Sequence, residues 1–464
     1  MTCRRTLPCQ PTPLAAALAS TVLLLLAGAG GGTAAALGAA PPSADVVLQG
    51  SNRAAEPAPG AAEVVAITGA TVHTMGAAGT LKDATVLIAG GRIKAVGIGI
   101  PIPAGARRID GAGKVVTPGL FDSYTHLGLV EVNAVEATED ATNEDPHVSA
   151  AFRVDEAINY ESMLLPINRV EGLTRAIAAP SPGKTIFAGQ EAVIHLGAGP
   201  SLVVRAPAAQ LVALGEVGSD LAGGTRGAAL QQLRQALRDA LDHDANRAAY
   251  DRAQHRAYSL PEADLEALLP VARGLQPLVV IVNRASDIET VLALGRELKL
   301  KLVLLGAAEG WKVAGDIAAA RVPVLLNPLS NLPDSFESLG ATLENAARLA
   351  RAGVTIAMMT GDSHNSRNIR QAAGNAVANG LPWETALAAM TVNPARIWGL
   401  DDHYGTLEPG KDADVVLWDG DPLEVTSAAE HVFIRGIEMP EDSRQLRLRD
   451  RYLRRAGVQP PPPR

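Results

Sequence analysis

The chain has 464 residues and a net charge of −8, and 47% of its residues are hydrophobic but only 3% aromatic. This length suits one large barrel with an accessory unit, and the scarcity of rings predicts an interior of small and branched aliphatic side chains. The mixed charges give no broad basic face, which argues against a nucleic-acid partner held by phosphate contacts.

The first forty residues have the pattern of a secretory signal peptide. Arg4 and Arg5 precede an apolar run from Leu14 to Ala27, and small residues continue to Ala40. The run is shorter than the ~20 residues of a transmembrane helix. We therefore predict a signal peptide at 1–40, export to the periplasm or the medium, and no integral membrane span after cleavage.

Both cysteines, Cys3 and Cys9, lie within this predicted signal peptide. The mature chain would therefore have no disulfide and no thiolate ligand. Any metal ion must be held by histidine, carboxylate or modified lysine side chains.

Strand-like segments lie towards both ends of the mature chain. Residues 41–62 are rich in Pro, Ala, Gly and Ser and predict a linker, whereas 63–118 contain short β-branched runs separated by Gly and Asp. Two more strand-like runs lie in 397–436, and a pair of strands is marginal alone. We therefore predict one β-sandwich built from both chain ends, followed by a charged tail at 437–464.

The central region, 119–396, alternates apolar strand-like runs with helical patterns. Examples of the runs are 278–282, 302–305 and 354–358. Continuous apolar strands separated by helices indicate a parallel sheet buried on both faces, and the span is near the ~250 residues of a (β/α)8 barrel. A doubly wound open sheet is the alternative, but no G-x-G-x-x-G turn follows a strand. We predict an α/β fold with a TIM-like barrel.

The start of this region carries the most informative motif. Residues 116–128 read V-T-P-G-L-F-D-S-Y-T-H-L-G. They resemble the first barrel strand of the amidohydrolase superfamily, Pro-Gly-hydrophobic-hydrophobic-Asp-x-His-x-His, in which two histidines on one side of a strand ligate a metal ion. Tyr124 stands at the place of the first histidine, and His126 at the place of the second.

A second motif follows the last predicted barrel strand. Residues 357–364 read A-M-M-T-G-D-S-H, T-V-N-P-A follows at 391–395, and G-T-L-E-P-G-K-D-A-D follows at 405–414. Together they resemble the C-terminal signature of imidazolonepropionase-like amidohydrolases. The resemblance implies that Asp362 is the strand-eight aspartate, which ligates metal and takes the proton of the attacking water.

The same resemblance implies ligands that the sequence lacks. The family has a carboxylated lysine or an acid on strand four, and one histidine each on strands five and six. Here Asn283 follows the run 278–282, and no histidine follows 302–305. The matched ligands are therefore His126 and Asp362, whereas a catalytic zinc normally has three protein ligands.

Four further side chains are candidates for the site. His364, Glu309 and His195 lie near predicted strand ends, where barrels assemble their active sites. Tyr124 could donate a hydrogen bond to a substrate oxyanion. Three of them also have a structural interpretation: a helix-start carboxylate for Glu309, a satisfied histidine for His195 and a core aromatic for Tyr124.

Two functions remain open at this stage. The first is a hydrolase of non-peptide carbon–nitrogen bonds in a small molecule, with a divalent ion, preferably zinc, and Asp362 as general base. The second is a catalytically inactive barrel, a pseudoenzyme, that binds a small ligand or a partner protein. The sequence leaves open whether the chain forms homo-oligomers.

Overall fold

Two eight-stranded sheets organise the protein, whose computed structural model describes residues 63–460. The predicted signal peptide at 1–40 and linker at 41–62 lie outside the described residues. Within the described part of the chain, every helix is too short or too polar to cross a bilayer.

The first sheet combines strands from both chain ends, as predicted. Its strands are β1 (Val65–His73), β2 (Thr80–Ala89), β3 (Arg92–Gly97), β4 (Arg107–Asp110), β5 (Val115–Pro118), β14 (Val415–Trp418), β15 (Ala429–Ile434) and β16 (Ile437–Glu438). The antiparallel pair of β5 with β14 joins the two ends of the chain. Because β16 belongs to this sheet, the sheet extends two residues into the predicted tail.

The second sheet is the barrel. Its strands are β6 (Leu120–Thr125), β7 (Leu173–Ala178), β8 (Phe187–His195), β9 (Val203–Ala213), β10 (Pro277–Val282), β11 (Lys301–Gly306), β12 (Val324–Leu326) and β13 (Ile356–Met358). Neighbouring strands pair in sequence order from β6 to β13. The TIM-like barrel is confirmed, and the burial of most residues of β10 and β11 explains their continuous apolar runs.

One barrel strand runs against the others. β8 pairs antiparallel with both β7 and β9, whereas the remaining neighbours are parallel. The links 179–186 and 196–202 on either side of β8 contain no helix. Such short links can join antiparallel neighbours, while a parallel crossover needs a dozen residues or more.

Eleven α-helices are assigned within residues 63–460. They are α1 (Leu164–Arg169), α2 (Gly215–Leu221), α3 (Arg226–Tyr250), α4 (Glu262–Ala272), α5 (Ala285–Leu298), α6 (Ala314–Ala320), α7 (Asn345–Arg351), α8 (Ile369–Ala378), α9 (Trp383–Ala388), α10 (Val392–Ile397) and α11 (Arg444–Arg455). Thr225 caps α3 by accepting a hydrogen bond from the Ala228 N–H, a common stabilising start for a helix.

The barrel interior has its own apolar core. Phe121 and Val193 pack there with small and branched residues from the other strands. Trp398, Leu400 and Tyr404, which follow α10, belong to the same core. The sequence pattern predicted that the barrel region ends at residue 396. The core of the barrel therefore includes residues beyond that predicted boundary.

Candidate functional site

The two motifs found in the sequence meet where the first barrel strand, β6, adjoins the last, β13. Just beyond these strands, the Gly361 N–H donates to the Tyr124 carbonyl over 3.0 Å, and the His126 N–H donates to the Asp362 carbonyl over 3.3 Å. We call this junction the barrel seam. It lies at the carboxyl ends of the parallel strands, the end at which barrel enzymes carry their active sites.

Hydrogen bonding determines which nitrogen of His126 carries the proton. Nδ1 lies 2.9 Å from the Ala179 carbonyl oxygen, which can only accept, so Nδ1 is the donor. Nε2 therefore carries the lone pair and lies 3.4 Å from the Ser181 hydroxyl. Burial lowers the pKa of His126, although nearby Asp362 acts in the opposite direction. The ring is thus a neutral imidazole whose Nε2 can take a proton or a metal ion.

The carboxylate of Asp362 is turned towards its own loop. Oδ1 accepts from the backbone N–H groups of Ser363, His364 and Asn365 at 2.6, 2.9 and 3.2 Å, and Oδ2 accepts from Asn365 Nδ2 at 3.2 Å. Partial burial acts to raise the pKa of Asp362, but these hydrogen bonds outweigh it and hold the pKa below its ordinary value. Of the two oxygens, Oδ2 retains capacity for one further partner.

Tyr124 is buried at the seam beside His126, with the two ring centroids 5.5 Å apart. Its hydroxyl donates to the Pro180 carbonyl oxygen at 3.2 Å. Burial raises the pKa of Tyr124, and the carboxyl group of Glu191 adds to this effect. The hydroxyl proton is thus used in a hydrogen bond to the backbone. To act as the predicted oxyanion donor, Tyr124 would have to break its bond to Pro180 and donate to the substrate instead.

Glu191 is a buried acid that the sequence analysis missed. It lies on β8 directly opposite Ala209, which packs inside the barrel, and directly opposite residues share one face of a sheet. Neither carboxyl oxygen has a hydrogen-bond partner among the described residues, and burial raises the pKa of Glu191 to about 8. The signal for it was a glutamate within the stretch 187–194, in which Gln190 is the one other polar side chain.

Asp122 is a second acid that the sequence analysis did not single out as a site residue. Its carboxylate accepts from the Thr360 hydroxyl and from the backbone N–H groups of Thr360 and Tyr124. Burial raises the pKa of Asp122 to about 7, against the effect of these hydrogen bonds. The contacts connect β6 with the segment after β13, so Asp122 supports the barrel seam.

Two of the additional candidates lie at the same end of the barrel. His364 is half-buried in the Asp362 loop, and burial lowers its pKa, as does Arg367. Glu309 follows β11, but its carboxylate pairs with Lys312 at 2.6 Å and accepts from the N–H groups of Ala285 and Gly340. Glu309 therefore caps the start of α5, which agrees with its structural interpretation.

His195 lies at the other end of the barrel, contrary to its proposed place in the site. Because β8 is antiparallel, its last residue pairs with Arg175, near the beginning of β7. Nε2 lies 2.7 Å from the Ser201 carbonyl oxygen, and Nδ1 accepts from the Gly197 N–H at 3.1 Å. His195 is thus a satisfied histidine in the turn between β8 and β9.

A cavity of about 300 Å³ opens beside the barrel seam. Its wall includes Tyr124, and its other walls come from the ends of β10, β11 and β13 and from the loop after β12. Nonpolar surface is provided by Ile281, Leu305 and Met359. None of the described residues that line the cavity is charged. The size and lining fit part of a small, uncharged molecule.

Comparison with known proteins gives the family. Residues 115–437, most of the chain, match the amidohydrolase family. The chain belongs to the amidohydrolase family. The imidazolonepropionase of Aromatoleum aromaticum is 30% identical to this amidohydrolase over 75% of the chain and 88% of that protein. An amidohydrolase of Hapsidospora irregularis is 24% identical over 83% of this chain, but the match spans only 42% of that relative.

A solved structure agrees with this assignment. The crystal structure of an amidohydrolase from Thermotoga maritima has a TM-score of 0.73 and 27% identity to this amidohydrolase, and the match covers 81% of this chain and 99% of that chain. The relatives are hydrolases that act on carbon–nitrogen bonds. This activity matches the leading hypothesis from the sequence.

The donor set of this amidohydrolase does not complete a catalytic metal site. His126 and Asp362 supply two donors at the seam, and in residues 63–460 no group of three His, Cys, Asp or Glu side chains is arranged to hold an ion. Asn283 and Gly306 stand at the ends of β10 and β11, where the family pattern has histidines. Because a catalytic zinc normally has three protein ligands, the described residues do not fit the expected ion.

Proposed function

We propose that this amidohydrolase hydrolyses a non-peptide carbon–nitrogen bond in a small, uncharged molecule bound beside Tyr124. The observation that carries the proposal is the position of His126: its Nε2 lone pair is held at the barrel seam by the Nδ1 bond to Ala179. The aromatic wall of the cavity lies 5.5 Å from the His126 ring, measured between ring centroids. A proton acceptor and a cavity at the same end of the barrel support the proposal.

The chemistry needs one base and a site for the scissile carbonyl group. The water oxygen forms a bond to the carbonyl carbon, the carbon–nitrogen bond breaks, and the nitrogen leaves with a proton. We assign the acceptance of the water proton, and its transfer to the leaving nitrogen, to Nε2 of His126. Asp362 remains a candidate base through Oδ2, although its four hydrogen bonds favour the role of ordering the loop next to His126.

A panel of small amides, cyclic imides and lactams tests the proposal, with the released acid and amine measured by mass spectrometry. We expect turnover of at least one class by the wild type, and a loss of about 100-fold or more in kcat for His126→Gln. His403→Gln alters an exposed histidine and is the matched control. If Asp362→Asn lowers kcat by about 100-fold while His126→Gln keeps the wild-type kcat, and both variants unfold like the wild type, the general base is Asp362.

The second candidate function is that of a catalytically inactive barrel that binds a small ligand. The two-donor set at the seam is the observation that favours it. Saturable binding of a compound from the same panel, without turnover and unchanged in His126→Gln, would support this function and contradict hydrolysis.

We also propose that the chain is exported. The proposal rests on the arginines, the apolar run and the small residues of the first forty positions. Cell fractionation combined with N-terminal sequencing of the mature protein tests it. An intact N-terminus in the cytoplasmic fraction would contradict it.

A further inference from the structure

The surface of α11 concentrates positive charge in a protein whose net charge is negative. Its twelve residues, R-Q-L-R-L-R-D-R-Y-L-R-R, contain six arginines and one acid, whereas the whole chain has a net charge of −8. None of the residues of α11 is buried. The helix begins with a cap, because the Ser443 hydroxyl accepts from the Leu446 N–H. Its arginines are therefore held on an ordered element.

The two sides of α11 differ. Leu446 and Arg449 line a groove of about 340 Å³ between the helix and the rest of the protein. Leu446 and Leu453, two helical turns apart, are the less exposed leucines of the helix and face the protein, whereas Leu448 and Tyr452 are 37% and 59% exposed. Because these two residues are four apart, they are neighbours on the helix surface.

Three arginines surround this exposed apolar pair. Arg444, Arg451 and Arg455 stand three or four residues from Leu448 or Tyr452 and so share their side of the helix. Of the three, Arg444 contacts Met163 and Arg455 lies over the Tyr452 ring, but no carboxylate of the described residues pairs with any of them. The outward face of α11 thus combines unpaired positive charge with a leucine and a tyrosine.

We propose that this face of α11 docks onto an anionic phospholipid surface. Arginines attract negatively charged headgroups, and a leucine and a tyrosine between them can insert into the headgroup region of a bilayer. The acidic remainder of the chain is repelled by the same surface, which orients the protein with α11 towards the lipid. A nucleic acid or an acidic protein would satisfy the arginines but would give the apolar pair no comparable environment.

Flotation of the full chain with vesicles of phosphatidylcholine, with and without phosphatidylglycerol, tests the docking. We expect binding only when phosphatidylglycerol is present, and weaker binding as salt is added. Replacement of Arg444, Arg451 and Arg455 by glutamine should reduce the partition coefficient by roughly 100-fold, since each arginine near an anionic surface contributes about fivefold. Leu448→Ser together with Tyr452→Ser should also weaken it, by about tenfold or more.

The matched control replaces three exposed helical arginines elsewhere, Arg238, Arg296 and Arg351, by glutamine. This variant has the same charge as the α11 variant and the same N-terminal segment, and it should bind as the wild type does. The proposal would be overturned if the protein bound pure phosphatidylcholine vesicles as well as vesicles with phosphatidylglycerol. It would also be overturned if the two triple variants lost the same fraction of their vesicle binding. Tighter binding to duplex DNA than to vesicles, or a low-salt dimer abolished by the α11 variant, would also overturn it and identify a different occupant.

Discussion

Arg175 and Asp414 form a buried ion pair between the barrel and the sheet built from the chain ends. Arg175 lies on β7 and its Nε donates to Oδ2 of Asp414, just before β14, at 2.8 Å; the side chains are 2% and 1% exposed. Arg175 also pairs with Asp412 at 2.7 Å. Both acids belong to the motif at 405–414, so that motif has a structural use in joining the two sheets.

Removing Asp414 should destabilise the protein strongly. Asp414→Ala leaves the buried guanidinium of Arg175 with one partner, and we expect the free energy of unfolding to fall by about 3–5 kcal/mol. Asp412 is 15% exposed, so Asp412→Ala should cost clearly less. Urea unfolding of both variants measures the difference. Equal losses of unfolding free energy in the two variants would show that the ion pair with Asp414 stabilises the protein no more than the pair with Asp412.

Gly172 lies at the same junction, and a side chain at this position should destabilise the protein. A Cβ at this position would meet Trp418 of β14 at 2.4 Å, and its φ of +87° disfavours other residues. Gly353 has the same φ but open space around it, so Gly353→Ala isolates the cost of the backbone conformation. We expect Gly172→Ala to lower the free energy of unfolding by about 1–3 kcal/mol more than Gly353→Ala. Equal effects in thermal or urea unfolding would refute the steric explanation.

Sequence reasoning succeeded where local pattern determines structure. The apolar runs at 278–282, 302–305 and 354–358 identified β10, β11 and β13, and the first motif identified β6, which contains Tyr124 and is followed directly by His126. A short apolar run does not indicate whether a strand is parallel or antiparallel to its neighbours. For β8, the antiparallel direction follows from the two short links without helices. The errors at that strand have this one cause: His195 was assigned to the wrong end, and the inward-facing Glu191 was overlooked.

The burial of Glu191 should make stability depend on pH. Its folded pKa is about 8, above the ordinary value of 4.5, so the folded state holds the proton more tightly than the unfolded state. The resulting stabilisation is complete below about pH 4.5 and is lost as the pH rises through about 8. Between these limits the free energy of unfolding should fall by on the order of 4 kcal/mol more in the wild type than in Glu191→Gln.

Chemical unfolding at a series of pH values measures this difference. Glu289→Gln, which changes an exposed glutamate of α5, is the control and should keep the wild-type pH dependence. Parallel curves for the wild type and Glu191→Gln would mean that Glu191 is paired with a cation or solvated in solution.

Zinc should bind weakly to the wild-type barrel. The seam offers Nε2 of His126 and one open acceptor position on Asp362, about half of a complete tetrahedral set. Complete structural zinc sites bind with about 10–16 kcal/mol, and half of that free energy corresponds to a Kd of about 1 μM or weaker. Competition with a zinc-binding dye measures the affinity. Stoichiometric zinc that survives dialysis against a chelator would contradict this expectation.

A histidine at position 124 should strengthen that site. Tyr124 and His126 are two residues apart on β6 and its extension, so Tyr124→His places a second imidazole on the same side of the chain as His126. A third donor should tighten zinc binding by at least about tenfold, and His126→Ala in the same background should reverse the gain. Tyr124→Phe keeps the ring without a donor and should leave the zinc affinity unchanged. An equal increase in Tyr124→Phe, or none in Tyr124→His, would show that positions 124 and 126 do not face a common ion.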